Sequence, residues 1–286
     1  MNHQLFNVSN SCMEHGQLLH YTSFDTLEII LKKKTLKCNS LRNVNDLLEK
    51  NRKGIEDFTE SFFVSCFCHY QYEIVPFWFM YGGNAPKEKK VLLRINNFSN
   101  RLDQIINTDH ATTSEKKIIY FDQKRLFHNN SDTISCNPIN SPFVENRTTI
   151  NKIKLFDVNY LPPNDEVFSK EYQTDGQVRF GETQDVFGAS IYDLRSVGKD
   201  KTIHWEYEKE TRIMCQLSNY ISDFDSIFLC INDGFFKDMT IVANPWATDD
   251  FVSEIEKIVE KSVISEPIKN TIKVTKSELH GQICSD

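Results

Sequence analysis

The sequence predicts a mixed α+β fold, a β-sheet with flanking helices built as a single domain. Three observations carry this. Between Leu18 and Ser40 a short apolar run, an amphipathic helix and a second short strand follow one another. Phe62 to Cys68 reads Phe-Phe-Val-Ser-Cys-Phe-Cys, an aromatic and β-branched run of strand type. Far along the chain, Asp249 to Lys261 repeats apolar residues at helical spacing.

Each element follows from its residues. Leu18-Leu19-His20-Tyr21 is a strand ending in a turn. Thr22 and Ser23 come next, and Asp25 stands three residues after Thr22, in the manner of a capping box with Asp in the acidic place. Leu27, Ile30 and Leu31 repeat at helical spacing, and Lys32 to Lys34 suit the negative end of the helix dipole. A strand is expected around Leu36 to Ser40, and a polar loop from Leu41 to Glu49. Pro76 to Tyr81 is dense in aromatics, and Val91 to Ile95 is a further strand. Leu102–Asn107 and Ser114–Arg125 mix helix and strand signals. From about Asn129 to Gln184 the chain is polar and holds Pro138, Pro142, Pro162 and Pro163, so loops and an insertion are expected at 129–184. His204 to Cys215 reads as a strand with charges on one face. Ser226–Asn232 and Met239–Ala243 are strands, the helix at 249–261 has an acidic first turn, and a peripheral strand and tail close the chain.

Composition narrows the class. Of 286 residues, 40% are hydrophobic and 26% charged, the balance of a globular protein with a sizeable core. A net charge of −7 argues against a mainly electrostatic nucleic-acid binder. No apolar run approaches the roughly 20 residues of a membrane span. Met1 to Asn10 lacks an apolar signal core, so a cytoplasmic protein without membrane attachment is expected. The eight cysteines are spread along the chain without a C-x-x-C pair and are expected as reduced thiols. Cys66, Cys68 and His69 lie in a strand pattern, which favours structure over metal binding.

Familiar catalytic motifs are absent. No G-x-G-x-x-G follows a strand, and there is no Walker-type loop, G-x-S-x-G elbow or H-E-x-x-H. What remains is His204-Trp-Glu-Tyr-Glu-Lys-Glu-Thr-Arg-Ile-Met-Cys215. At a period of two, Glu206, Glu208, Glu210 and Arg212 share a strand face, opposite Trp205 and Tyr207. Adjacent carboxylates require water, a cation or a polar ligand. A solvated edge strand satisfies that, and so does a cleft, since Ile213-Met214-Cys215 leads into the core. Taken alone, His20 reads as a structural hydrogen-bonding residue more readily than a functional one, and Trp78 and Tyr81 read as core aromatics.

Taken together, these segments resemble a known family. Leu19-His20-Tyr21-Thr22-Ser23, Ser40-Leu41-Arg42-Asn43-Val44-Asn45-Asp46-Leu47-Leu48-Glu49, Trp78-Phe79-Met80-Tyr81 and Lys201…Trp205-x-Tyr207-Glu208-x-Glu210-x-Arg212 look like the motifs of the bacterial domain family of unknown function 2971. Leu47 stands where that family usually has proline, and Gly82-Gly83 is not followed by its glycine-containing strand. The family is similar in motif layout to ADP-ribosyltransferase-like folds, split β-sheets carrying a His-Tyr-Glu triad. The resemblance implies NAD as substrate and no metal. It implies that His20, with Tyr21 and Thr22, binds the adenosine-side ribose. Tyr81, with Trp78, would stack on nicotinamide. Glu210 would be the catalytic acid, with Glu208 the second choice. Arg42, Asn45 and Asp46 would border the pocket, Arg42 facing the pyrophosphate; an Asn/Asp turn accounts for the same residues.

Three functions follow as expectations. The leading one is an NAD-dependent ADP-ribosyltransferase acting on RNA, DNA or protein, of the kind found among bacterial toxins and anti-phage effectors, with a neutralising antitoxin or regulatory partner. Two basic stretches, Lys87-Lys89-Lys90-Arg94 and Lys116-Lys117-Lys124-Arg125, are candidate guides for nucleic acid or plain solvated surface. The alternatives are a non-enzymatic nucleotide- or protein-binding module and an NAD hydrolase.

Overall fold

The computed structural model describes residues 6–50, 62–82, 89–99, 102–105, 118–121, 135–136, 148–169, 179–180, 183–184, 197–217 and 225–283. The chain opens with β1 (Phe6–Val8), α1 (Asn10–Met13), β2 (Gln17–Ser23), α2 (Phe24–Lys33) and β3 (Thr35–Ser40). A 3-10 turn at Leu41–Asn43 leads to α3 (Leu47–Lys50), β4 (Phe62–Cys68), α4 (Val75–Met80), β5 (Lys90–Asn96) and α5 (Leu102–Ile105). Next come β6 (Ile118–Phe121), β7 (Ser135–Cys136), β8 (Thr148–Asp157), β9 (Asn159–Leu161), α6 (Glu166–Ser169), β10 (Arg179–Phe180) and β11 (Thr183–Gln184). Then follow β12 (Asp200–Thr202), a 3-10 helix at Ile203–Glu208, β13 (Glu210–Leu217) and β14 (Ser226–Cys230). The last elements are β15 (Thr240–Ala243), α7 (Asp249–Glu260), α8 (Glu266–Lys269) and β16 (Lys273–Lys276). The architecture is mixed α+β. No described helix is long and apolar enough to cross a membrane.

The chain groups into two compact units, each assembled from three stretches. The first holds residues 1–9, 37–65 and 111–228; the second holds 10–36, 66–110 and 229–286.

In the first unit β8 is flanked by β1, parallel to it, and β13, antiparallel to it, with Phe6 opposite Ile153 and Ile213 opposite Leu155. β8 lies within the stretch expected to be loop-rich. Ile153 and Leu155 alternate with Lys152 and Lys154 as in a strand, and the surrounding polar and proline-rich sequence conceals it. β12 and β9 form a separate parallel pair, Lys201 opposite Tyr160. The core here is Leu41, Phe62, Val64, Phe156, Val197 and Met214. Glu210, Arg212 and Met214 share one face of β13, so that face passes from charged residues into apolar core.

In the second unit β2 pairs antiparallel with β5, His20 opposite Leu93, and with β4 at Leu19 and Cys68. β15 is antiparallel to β5 and parallel to β16. The helix expected after β2 is present, but its cap is Ser23. The Ser23 hydroxyl accepts from the Thr26 N–H at 3.1 Å, whereas Thr22 stays buried in the strand. The α2 helix ends at Lys34 in the left-handed region (φ 48°), its N–H bonded to the Ile30 carbonyl. In α7 the Thr248 side chain caps the Phe251 N–H, and Phe251, Ile255 and Val259 are buried. Burying each such side chain contributes about 2 kcal/mol.

Candidate functional site

The segment read as a strand from His204 to Cys215 is two elements. Ile203–Glu208 is a 3-10 helix, Lys209 is left-handed (φ 38°), and the strand starts only at Glu210. The expected four-residue charged face therefore does not exist. Glu206 is exposed in the turn, and only Glu210 and Arg212 share a strand face. Nor is this a solvated edge: Glu208 and Glu210 are each 5% exposed and Arg212 is 1% exposed. The left-handed residue between the acids turns the chain so that both carboxylates reach one ammonium, that of Lys201.

The resulting cluster lies wholly within the first unit. Lys201 Nζ donates to Glu208 Oε2 at 2.5 Å and to Glu210 Oε2 at 3.3 Å, and sits 4.8 Å from the Trp205 ring centroid. Arg212 uses all five of its donors. Nε and Nη2 reach the two Glu210 oxygens at 2.9 Å each, Nη2 reaches Glu49 Oε2 at 3.1 Å, and Nη1 reaches Glu49 Oε1 and, at 2.7 Å, the Gly198 carbonyl. The Glu210 N–H donates to the Tyr160 hydroxyl at 2.8 Å. Charge-assisted bonds of this kind are the strong ones, and the paired geometry holds each carboxylate in place. Burial pushes the Glu49 carboxyl above its ordinary value, outweighing the pull of Arg212, and the Glu210 charge adds to the rise. For Lys201 burial acts in the opposite sense, but Glu210 and Glu208 outweigh it and hold the ammonium above the usual lysine value. Burial, with Glu208 adding to it, raises the Tyr207 phenol.

The loop at 41–49 is more ordered than a polar loop. Asp46 is buried and accepts from the Thr202 N–H at 2.9 Å, the Thr202 hydroxyl at 3.2 Å and the Leu48 N–H at 2.9 Å. Glu49, on α3, supplies the second carboxylate to Arg212. Asn45 is exposed. Arg42 lies in the 3-10 turn and pairs with Asp225 at 3.0 Å. Of the residues expected to border a pocket here, Asp46 is built into the structure beside the acid cluster.

The other expected residues are in the second unit. His20 is half-buried. Its Nδ1 lies 2.9 Å from the Cys66 carbonyl, its ring packs on Phe67, and burial lowers its basicity against that hydrogen bond. Tyr21 is on the opposite face of β2; its hydroxyl accepts from the Ile74 N–H at 2.8 Å. The Tyr21 ring meets Trp78 edge-on at 5.0 Å, and Tyr81 meets Phe77 edge-on at 5.0 Å. Tyr21, Trp78 and Tyr81 thus belong to one apolar cluster. Trp78 is 0% exposed, with its indole N–H on Glu73. Tyr81, which caps α4, is half-buried. His69 stacks on His15 at 4.2 Å, while Cys66 is exposed and Cys68 buried.

In the first basic stretch Lys89 is exposed, as solvated surface would have it, whereas Lys90 is buried. Lys89 pairs with Glu254 at 2.5 Å, Lys90 is buried with its ammonium on the Phe79 carbonyl, and Arg94 pairs with Glu278 at 3.3 Å. Lys87, Lys116, Lys117, Lys124 and Arg125 lie outside the described residues.

Glu49 and the pairing role of Lys201 are what sequence reasoning missed. Glu49 closes the Ser40–Glu49 motif in a segment whose polarity looks like that of a loop, and nothing local marks its partner in β13. Lys201 was visible only as the first letter of a motif. No family model matches the chain, and no curated protein or solved structure matches it. Chemically, the cluster holds two carboxylates on one ammonium at a fixed depth beside an aromatic side chain.

Proposed function

We propose that this chain is an NAD-dependent ADP-ribosyltransferase acting on a macromolecule, built on an ADP-ribosyltransferase-like split sheet. One observation supports the reading above the others: Glu208 and Glu210 converge on Lys201 at the start of β13 and act as one unit. In the reaction the bond between ribose C1′ and the nicotinamide nitrogen breaks, and its electron pair leaves with neutral nicotinamide. The ribose left behind is cationic and oxocarbenium-like. A preorganised carboxylate lowers the energy of that charge without having to reorganise. An acceptor oxygen or nitrogen then bonds to C1′ and releases its proton. In this reading Glu210 is the catalytic acid and Glu208 its neighbour, as the motif resemblance implies.

Incubation with NAD labelled in its adenylate phosphate, in the presence of RNA, DNA and protein, tests this. Label on a macromolecule supports the transferase. Free labelled ADP-ribose with no macromolecular product assigns hydrolysis instead. A second reading has its own observation: Arg212 is fully satisfied and buried, as in a purely structural ion cluster. Intact NAD after incubation with folded wild-type protein favours that reading, a binding module whose acids hold the fold.

A further inference from the structure

We infer that Lys201 is a positioning residue whose ammonium holds the Glu208 and Glu210 carboxylates together and seats Trp205 beside them. Its consequence for turnover rests on the function proposed above; its consequence for the acids rests on geometry alone. Lys201 is 2% exposed and lies in β12, opposite Tyr160 of β9. Tyr160 in turn accepts from the Glu210 N–H, so the strand pair fixes the ammonium and one acid in a common frame.

An ammonium has three N–H bonds to place. Here two carboxylates and one aromatic face surround it, at 2.5, 3.3 and 4.8 Å. Arg212 shares Glu210 with Lys201 and directs its other donors to Glu49 and Gly198. Lys201 therefore bridges Glu208 to Glu210. The titratable groups around it are Glu208, Glu210, Glu49, Arg212 and the phenols of Tyr160 and Tyr207. With the ammonium gone, two carboxylates aimed at one point repel, and one of them takes up a proton or swings away.

The test compares wild type, Lys201→Met and Lys201→Arg as full chains labelled with carboxyl-13C glutamate. Carboxylate titrations are followed by NMR and nicotinamide release from NAD across pH. In folded Lys201→Met a glutamate titration moves upward by about one pH unit. Its kcat falls about a hundredfold while KM changes little, and Lys201→Arg recovers most of both. A folded Lys201→Met whose carboxylates titrate as in wild type overturns the inference. If the titration moves but wild type releases no nicotinamide, the positioning role stands and the proposed function fails. Should Lys201→Met not fold, the wild-type 15N signal of the Lys201 ammonium decides. Slow proton exchange at neutral pH supports the buried three-sided contact, and fast exchange overturns it.

Discussion

Glu49 and Arg212 stand 163 positions apart in the chain and form a two-pronged ion pair in the interior of the first unit, 1% exposed on each side. The pair fastens α3 to β13, and Glu210 and the Gly198 carbonyl occupy the rest of the guanidinium. Removing one member of a buried pair strands the other's charge. Arg212→Leu is expected to cost about 3–5 kcal/mol in urea unfolding, whereas replacing Glu49 and Arg212 together by leucine costs less than the sum of the single changes. Strict additivity of the two would show that they do not interact.

The same pair sets a pH signature. Burial raises the Glu49 carboxyl in the folded state, so the folded protein holds that proton more tightly than the unfolded chain. For this group stability falls as pH rises from the unfolded glutamate value through the raised folded value. Glu49→Gln should remove that downward slope from a plot of unfolding free energy against pH. A slope unchanged in Glu49→Gln assigns it to another group.

Gly198 is left-handed (φ 71°), its carbonyl accepts from Arg212, and a Cβ there would lie 3.1 Å from the Met214 sulfur. Gly198→Ala combines backbone strain with a tight contact and should destabilise by about 1–2 kcal/mol. Thermal melting of the variant measures it, and an unchanged Tm would contradict the left-handed assignment.

Asp233 gives a test in the second unit. Burial works against its charge, but bonds from Ser265 and Lys34 prevail and hold its carboxyl below the ordinary aspartate value. That contribution is present above the unfolded value near 3.8 and is lost as pH falls through the lower folded value. Asp233→Asn should lose stability near neutral pH and converge with wild type in acid. A constant gap between the two at all pH values would point to packing instead.

How much of this was legible follows from range and period. The α2 and α7 helices were readable because apolar spacing, cap and dipole charges agree within a dozen residues. The Phe62–Cys68 strand was readable because its residues admit little else. The cap moved by one position, from Thr22 to Ser23, since both hydroxyls suit the role and only the strand's end decides. The segment 203–208 misled because Trp-x-Tyr and Glu-x-Glu mimic a period of two, while the turn that breaks it is made by Lys209, a residue type that gives no turn signal. Glu49 and Lys201 were hidden because their partners come from other elements, and pairing over such distances leaves no local pattern.

Nicotinamide release from NAD by wild type, Glu208→Gln and Glu210→Gln, each verified as folded, tests the central claim most directly. The expected result is release by wild type and a loss of about a hundredfold or more in Glu210→Gln, with NAD binding largely kept. No release by folded wild type, or equal release by all three proteins, would contradict it.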